Sequence, residues 1–172
     1  MELTASDLAF RILRSEDEVR QAYPLEVAGY SEDEAASLDG MLYRFRHARH
    51  LFLGAFDKTG AIVGYIMSTQ AAAPLVTHES MSTHDPSGTT VCVHSVCVDQ
   101  RWQGKGVASK LLRLYTELIR EHNSGSSTAI RRIAMLSRAN LVPFYERAGY
   151  KCLGQSSVVH GDEKWYDCVI DL

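Results

Sequence analysis

Val91-Cys92-Val93-His94-Ser95-Val96-Cys97-Val98-Asp99-Gln100-Arg101-Trp102-Gln103-Gly104-Lys105-Gly106-Val107-Ala108 is the stretch whose reading decides the fold. Val91 to Val98 is a near-continuous apolar run, the pattern of a strand buried on both faces. From Gly104 the period changes: Val107, Leu111, Leu114, Tyr115 and Leu118 form one apolar stripe, so a helix is expected over Gly104–His122. A glycine-rich turn between a strand and a helix aims backbone N–H groups outward at the positive end of the helix dipole. That suits a phosphate or pyrophosphate, although two glycines alone also fit an ordinary connection. The Walker spacing is absent, and Ser109 stands where a dinucleotide-binding GxGxxG turn needs its third glycine.

Upstream, Ala9–Leu13 reads as a strand, and Ser15 caps a helix whose first turn holds Glu16, Asp17 and Glu18. Pro24 is expected to kink or restart that helix near Tyr23. Ser31-Glu32-Asp33-Glu34 has the form of a capping box opening a second helix to about Ala48, with Leu38, Met41, Leu42 and Phe45 on one face. Leu51–Asp57 and Ile62–Thr69 are strands around a Lys58-Thr59-Gly60 turn, and Gln70–Gly88 is a long polar connection. Downstream come a Gly/Ser linker (Asn123–Ser127), a strand (Ile130–Leu136) and a short helix (Leu141–Arg147) stopped by Gly149. Strands Lys151–Val159 and Lys164–Leu172 turn near Gly161-Asp162. The order β-α-α-β-β-β-α-β-α-β-β predicts an α/β fold with a mixed sheet, one domain over 1–172, and no internal repeat.

The composition fits a globular domain: 172 residues, 45 % hydrophobic and 23 % charged. A net charge of −3 supplies no basic field, so nucleic acid is not an expected partner. No apolar run approaches the ~20 residues needed to cross a bilayer. Glu2 and Asp7 do not fit a secretion signal, and a cytoplasmic location without membrane attachment is expected. Cys92, Cys97, Cys152 and Cys168 lack CxxC spacing, which predicts buried free thiols rather than disulfides or zinc. His78, Glu79 and His84 lie close in sequence without ligand spacing, so no metal is expected.

Gln103-Gly104-Lys105-Gly106-Val107-Ala108 resembles the pyrophosphate-binding [QR]xxGx[GA] turn of the GNAT N-acetyltransferase superfamily. Phe144-Tyr145-Glu146-Arg147-Ala148-Gly149-Tyr150 is similar to that superfamily's FYxxxGF segment, in the right order and about 40 residues downstream. Thr77-His78-Glu79-Ser80, His84-Asp85-Pro86-Ser87-Gly88 and Val93-His94-Ser95-Val96 look like the arylalkylamine (serotonin-type) branch. The first seventy residues resemble it more loosely, closer to fungal relatives that include a polyamine acetyltransferase of yeast. The resemblance implies the GNAT fold, a central, mostly antiparallel seven-stranded sheet flanked by about four helices. It also implies acetyl-CoA as co-substrate, a small amine as acceptor, and a monomer or weak dimer. A polyamine, or a protein Nα-amine or lysine, is the alternative acceptor, and a non-catalytic CoA-binding module is a remoter reading.

Acetyl transfer to an amine requires that the ammonium lose a proton and that the departing thiolate gain one. By resemblance His94 is the base, through water, and Tyr145 the acid. A histidine with an ordinary pKa near 6.5 accepts protons at cellular pH, and a phenol near 10 can protonate a thiolate near 8.5. Vertebrate members of the branch carry an HxH pair on this strand. Here Cys92 replaces the first histidine, which places the base role on His94 alone. The resemblance assigns the pantetheine arm to the backbone of Val96 and Val98. It assigns the pyrophosphate to Gln103, Gly104, Gly106, Val107, Ala108 and Ser109, with Lys105 either a further contact or a solvated charge. Tyr30, Leu136 and Trp165 would wall the amine pocket, the aromatic faces of Tyr30 and Trp165 suiting an aryl ring or an alkylammonium. Glu26, Glu32, Asp33 and Glu34 would surround its entrance, and Arg138 takes the place of a common asparagine and is given no role.

Overall fold

Strand β1 (Ala9–Ile12) pairs antiparallel with β2 (Phe52–Phe56), and β2 with β3 (Ile62–Ala71), because the turn between β2 and β3 is fixed locally. Asp57 Oδ1 accepts from Thr59 N (2.8 Å) and Ala61 N (3.1 Å), while Gly60 takes φ 86°. The structure is a computed structural model that describes residues 2–125 and 129–172. Within these, the elements after Ile12 are α1 (Glu16–Gly29), α2 (Leu38–Ala48), β2, β3, α3 (His78–Ser82), β4 (Thr90–Val98), α4 (Val107–Ser124), β5 (Arg132–Arg138), α5 (Val142–Arg147), β6 (Lys151–Gln155) and β7 (Trp165–Asp171). The strand order is β1-β2-β3-β4-β5-β7-β6. The β4–β5 ladder is parallel; the β1–β2, β2–β3, β5–β7 and β6–β7 ladders are antiparallel. The α/β fold with a mixed seven-stranded sheet is thus as expected, and α3 makes five α-helices among the described residues instead of four.

Contacts group the residues into two units. The first takes in the chain up to Met67 together with Ser95–Tyr115. Its core packs Leu13, Val19, Met41, Phe45, Phe52 and Tyr65. Gly64 lets β3 lie close to the Cys97 backbone: a Cβ on it would stand 3.0 Å from the Cys97 carbonyl, in van der Waals contact with Leu111 and Val107 of α4. Ser15 caps α1 as expected, accepting from Glu18 N at 3.3 Å. The restart expected at Pro24 is not there. Helix α1 runs through it: the proline costs about 3 kcal/mol, and the buried apolar face that includes Val19 and Ala22 offsets this.

The Ser31–Glu34 pattern also misled, since α2 begins at Leu38 under a Ser37 cap whose Oγ accepts from Gly40 N at 3.0 Å. Glu26 diverts the chain. Its buried carboxylate takes the Ala36 amide (3.0 Å), which a helix from Ser31 would have bonded to the carbonyl of Glu32.

The second unit holds Ser68–His94 and the described residues from Thr116 to Leu172. The expected loop Gln70–Gly88 is shorter than the sequence implies. Strand β3 continues to Ala71, and α3 forms because Thr77 and Ser80 cap it reciprocally, Ser80 N to Thr77 Oγ1 at 3.1 Å and Thr77 N to Ser80 Oγ at 2.9 Å. Helix α4 extends over Asn123 and Ser124, where a linker was expected; the rest of that linker, Ser126 and Ser127, lies outside the described residues. Strand β6 ends at Gln155 rather than Val159, since Ser156 Oγ accepts from Val158 N (3.1 Å) and turns the backbone out of the ladder. Gly149 at φ 100° closes α5, with Tyr150 N donating to Tyr145 O (3.0 Å) and Gly149 N to Glu146 O (3.0 Å).

Candidate functional site

In the first unit, Gly104 (φ 74°) and Gly106 (φ 81°) both adopt the left-handed conformation that the turn into α4 needs. No atom lies within 4 Å of a Cβ built on either, so the conformation demands these glycines and open space surrounds them. The Gly106 carbonyl accepts the first bond of α4 from Lys110 N (3.1 Å). The N–H groups of Val107, Ala108 and Ser109 therefore belong to the helix's first turn, where no intrahelical acceptor exists. The Val107 side chain is buried, so only its backbone is available to a ligand. Lys105 is half-buried and its carbonyl accepts from Ala5 N (3.3 Å). An exposed turn of this kind, ahead of a helix's unbonded first-turn N–H groups, is open to an anion.

Strand β4 presents its backbone nearby in the same unit. Asp99 N donates to Val63 O of β3 (2.7 Å), so by the two-residue alternation of a strand Val96 and Val98 direct their N–H and C=O to the opposite edge. Side chains occupy that edge. Val96 N donates to the Tyr30 hydroxyl at 3.2 Å, which sits 3.5 Å from Val96 O, and Gln103 Nε2 donates to Val98 O at 3.2 Å. Tyr30 and Gln103 were expected to touch ligands; the structure places both on backbone groups assigned to the pantetheine arm. Beneath them, Tyr65 donates to Glu26 Oε1 (2.6 Å), and the Cys97 thiol lies 3.9 Å from that oxygen. Burial, then the Glu26 charge, pushes the thiol up to about 12. Glu26 and Glu34 are buried and therefore no part of an exposed entrance, whereas Glu32 and Asp33 are exposed.

In the second unit, His94 is half-buried on β4, and Thr69 fixes its tautomer. The Thr69 hydroxyl donates to Ser80 O (2.5 Å) and lies 2.8 Å from His94 Nε2. A hydroxyl has one proton, and Ser80 receives it, so His94 Nε2 must carry the hydrogen in this contact. Nδ1 is then the basic nitrogen of the neutral ring. No sequence pattern marks Thr69, and the quoted Thr77–Ser80 segment does not announce its partner; the contact follows from β3 reaching Ala71 and from α3. Cys92, two residues earlier, is fully buried in a cluster with Ala71, Val76, Ala134 and Val169, and burial pushes its thiol up to about 11. It stays protonated at neutral pH.

Tyr145 is buried in α5, edge-on to Phe144 (5.3 Å) and Tyr150 (5.9 Å). Leu136 is half-buried on β5 against the Cys92 cluster. Trp165 is buried on β7, donating Nε1–H to His160 O (2.6 Å), with the Arg138 guanidinium 5.7 Å from its ring centre. One face of Trp165 already carries a cation, so only the rest of the ring is open to an amine. Among the described residues, no group of three or more His, Cys, Asp and Glu is placed to hold a metal ion, and no helix is long and apolar enough to cross a membrane.

The first unit thus carries a left-handed glycine turn at the start of α4, and the second a histidine whose tautomer is fixed by Thr69. Residues 13–150 match the model of the Acetyltransferase (GNAT) family, and the chain belongs to that family of acetyltransferases. It is 33 % identical to the serotonin N-acetyltransferase of Mesocricetus auratus over 111 residues, 64 % of this chain and 51 % of that one. With the enzyme of the same name from Macaca mulatta it shares 28 % over 155 residues, 88 % of this chain and 72 % of that one. The chain thus spans about half to three quarters of these curated relatives. In fold it resembles NAA60 of Arabidopsis thaliana, solved in complex with acetyl-CoA, with TM-score 0.71, 14 % identity and coverage of 96 % and 99 %.

Proposed function

We propose that this chain transfers the acetyl group of acetyl-CoA to the primary amine of small arylalkylamines of the serotonin, tryptamine and phenylethylamine type. The similarity to serotonin N-acetyltransferases supports the acceptor class. The observation that carries the chemistry is the His94–Thr69–Ser80 chain, which orients a neutral imidazole with Nδ1 as its base. The match to one family model across residues 13–150 supports reading the chain as one catalytic domain.

Acetyl-CoA supplies the acyl thioester. Gly104, Gly106 and the first turn of α4 receive its pyrophosphate, with Val107, Ala108 and Ser109 giving backbone N–H groups. Val96 and Val98 bond the pantetheine arm once Tyr30 and Gln103 turn off that edge. His94 takes the proton of the bound ammonium, through water, and Tyr145 returns one to the leaving sulfur. Leu136 and Trp165 wall the acceptor. A polyamine acceptor is the second reading, favoured by the exposed Glu32 and Asp33 just after Tyr30, which would attract a polycation.

The test is thiol release from acetyl-CoA with tryptamine, serotonin, phenylethylamine, spermidine and a lysine peptide. The proposal expects the arylalkylamines to give the highest kcat/KM. Spermidine in first place would support the second reading, and turnover confined to the peptide would refute both.

A further inference from the structure

Asp167 lies on β7 with 8 % of its surface exposed, and among the described residues its Oδ1 is one of few buried side-chain polar atoms without a hydrogen-bond partner. The Ser156 hydroxyl, which accepts from Val158 N, bonds the same carboxylate. A buried carboxylate oxygen left unpaired costs about 1–3 kcal/mol or more, so its retention calls for an explanation.

The strand register says where it points. Cys92 pairs with Ala134 on β5, and Ala134 with Val169 on β7, and these three pack in one cluster on one face of the sheet. Two residues along each strand the same face is presented again. That row is His94 on β4, Leu136 on β5 and Asp167 on β7, with Leu136 directly opposite Asp167; Arg138 opposite Trp165 makes the row after it. One row earlier, where the ladders hold, two inter-strand spacings separate the β4 and β7 backbones, roughly 10 Å, a span that admits an amine nitrogen between facing side chains. Among the described residues the β4–β5 ladder ends at Val93↔Met135, one residue before His94, so at this row β4 is no longer bound to β5.

We propose that Asp167 is the anchor of the acceptor's ammonium group: its Oδ1 accepts a charge-assisted hydrogen bond from the substrate nitrogen, on the sheet face that carries His94, Leu136 and Trp165. The inference rests on the small-amine reading above and deepens it. Oδ1 is covered in the amine-free protein, and the substrate reaches it by parting side chains of that row, an adjustment of rotamers rather than of backbone. Burial raises the Asp167 carboxyl above the ordinary range, as expected for a carboxylate waiting for a cation. The anchor also distinguishes substrate from product, because the acetylated nitrogen is an uncharged amide and loses the ionic part of the bond.

The experiment compares tryptamine with tryptophol, the same ring and chain length ending in an uncharged alcohol, binding to the protein saturated with CoA by calorimetry. The wild type is expected to prefer tryptamine by about 10- to 100-fold, the size of one charge-assisted bond. Asp167→Asn should abolish that preference while leaving the tryptophol Kd and the acetyl-CoA Kd within about 2-fold. Asp167→Glu should restore part of it. In turnover, Asp167→Asn should raise the amine KM more than it lowers kcat. If the wild type acetylates amines and Asp167→Asn keeps the tryptamine preference, the anchor is refuted and the acetyltransferase reading stands. If the wild type binds acetyl-CoA but neither binds nor acetylates an amine, both are refuted.

Discussion

Replacing Thr69 by valine removes one hydroxyl and keeps the side-chain volume, which makes it the sharpest test of how His94 is held. In the resting protein the Thr69 hydroxyl oxygen lies 2.8 Å from His94 Nε2 and 2.5 Å from Ser80 O, to which it donates. A neutral hydrogen bond contributes about 1 kcal/mol net, and one to a charged group about 1.5–3. When His94 accepts a proton the contact passes from the first kind to the second, a gain of roughly 0.5–2 kcal/mol that the variant forfeits. That converts to a kcat about 2- to 30-fold lower. The Ser80 carbonyl, left without its donor, costs a further 1–3 kcal/mol or so of stability, lowering Tm by roughly 2–12 °C for a chain of this size. Steady-state kinetics with saturating acetyl-CoA, run beside thermal melts, separates the two effects. Thr69→Ser keeps the hydroxyl and should recover both. A Thr69→Val protein with lowered Tm but wild-type kcat would show that the hydroxyl only ties β3 to α3, and the tautomer argument would fail.

Other perturbations reach the remaining parts. Tyr30→Phe frees the Val96 N–H that the phenol now occupies at 3.2 Å; calorimetry should find acetyl-CoA bound about 3- to 5-fold more tightly, since one hydrogen bond of about 1 kcal/mol no longer has to be broken. Weaker binding would mean that Tyr30 helps hold the arm. Gly106→Ala forces a Cβ into φ 81°, costing about 1–2 kcal/mol of stability and weakening acetyl-CoA binding, while Lys105→Ala leaves the fold unchanged. Arg11 grips Glu18 through two bonds (3.0 and 2.6 Å) and, first among its causes, holds that carboxyl below the ordinary range. A depressed carboxyl stabilises the fold above its unfolded value, near 4.3, and loses that contribution as pH falls through the folded one. Glu18→Gln should therefore cost about 1–2 kcal/mol in urea unfolding at pH 7, with the gap to wild type narrowing as the pH falls below the unfolded value; a gap that does not narrow on acidification would contradict the assignment.

What the sequence disclosed was local. The Ser15 cap, the Asp57–Gly60 turn, Gly149 and the paired glycines of the α4 turn act within a few residues, so residue type alone locates them. Pro24 and Ser31 misled for the opposite reason: burial of one helix face outweighs a lost amide bond, and a carboxylate ten residues away captures Ala36 N. Candidate site residues could be named for the same reason. His94, Tyr145 and the glycine turn lie in recognisable segments, whereas Thr69, the Tyr30–Val96 contact and Asp167 depend on which strand lies beside which. Asp167 reads as one polar residue in a strand until the β5–β7 register sets it opposite Leu136.

The central claim is that His94 is the base of an amine acetyltransferase, and the most direct measurement is kcat/KM for tryptamine in the wild type and in His94→Gln, with acetyl-CoA Kd measured on both. The account predicts a loss of about 10²- to 10⁴-fold, the usual worth of a positioned general base, at unchanged acetyl-CoA affinity. Equal kcat/KM in the two proteins would contradict it.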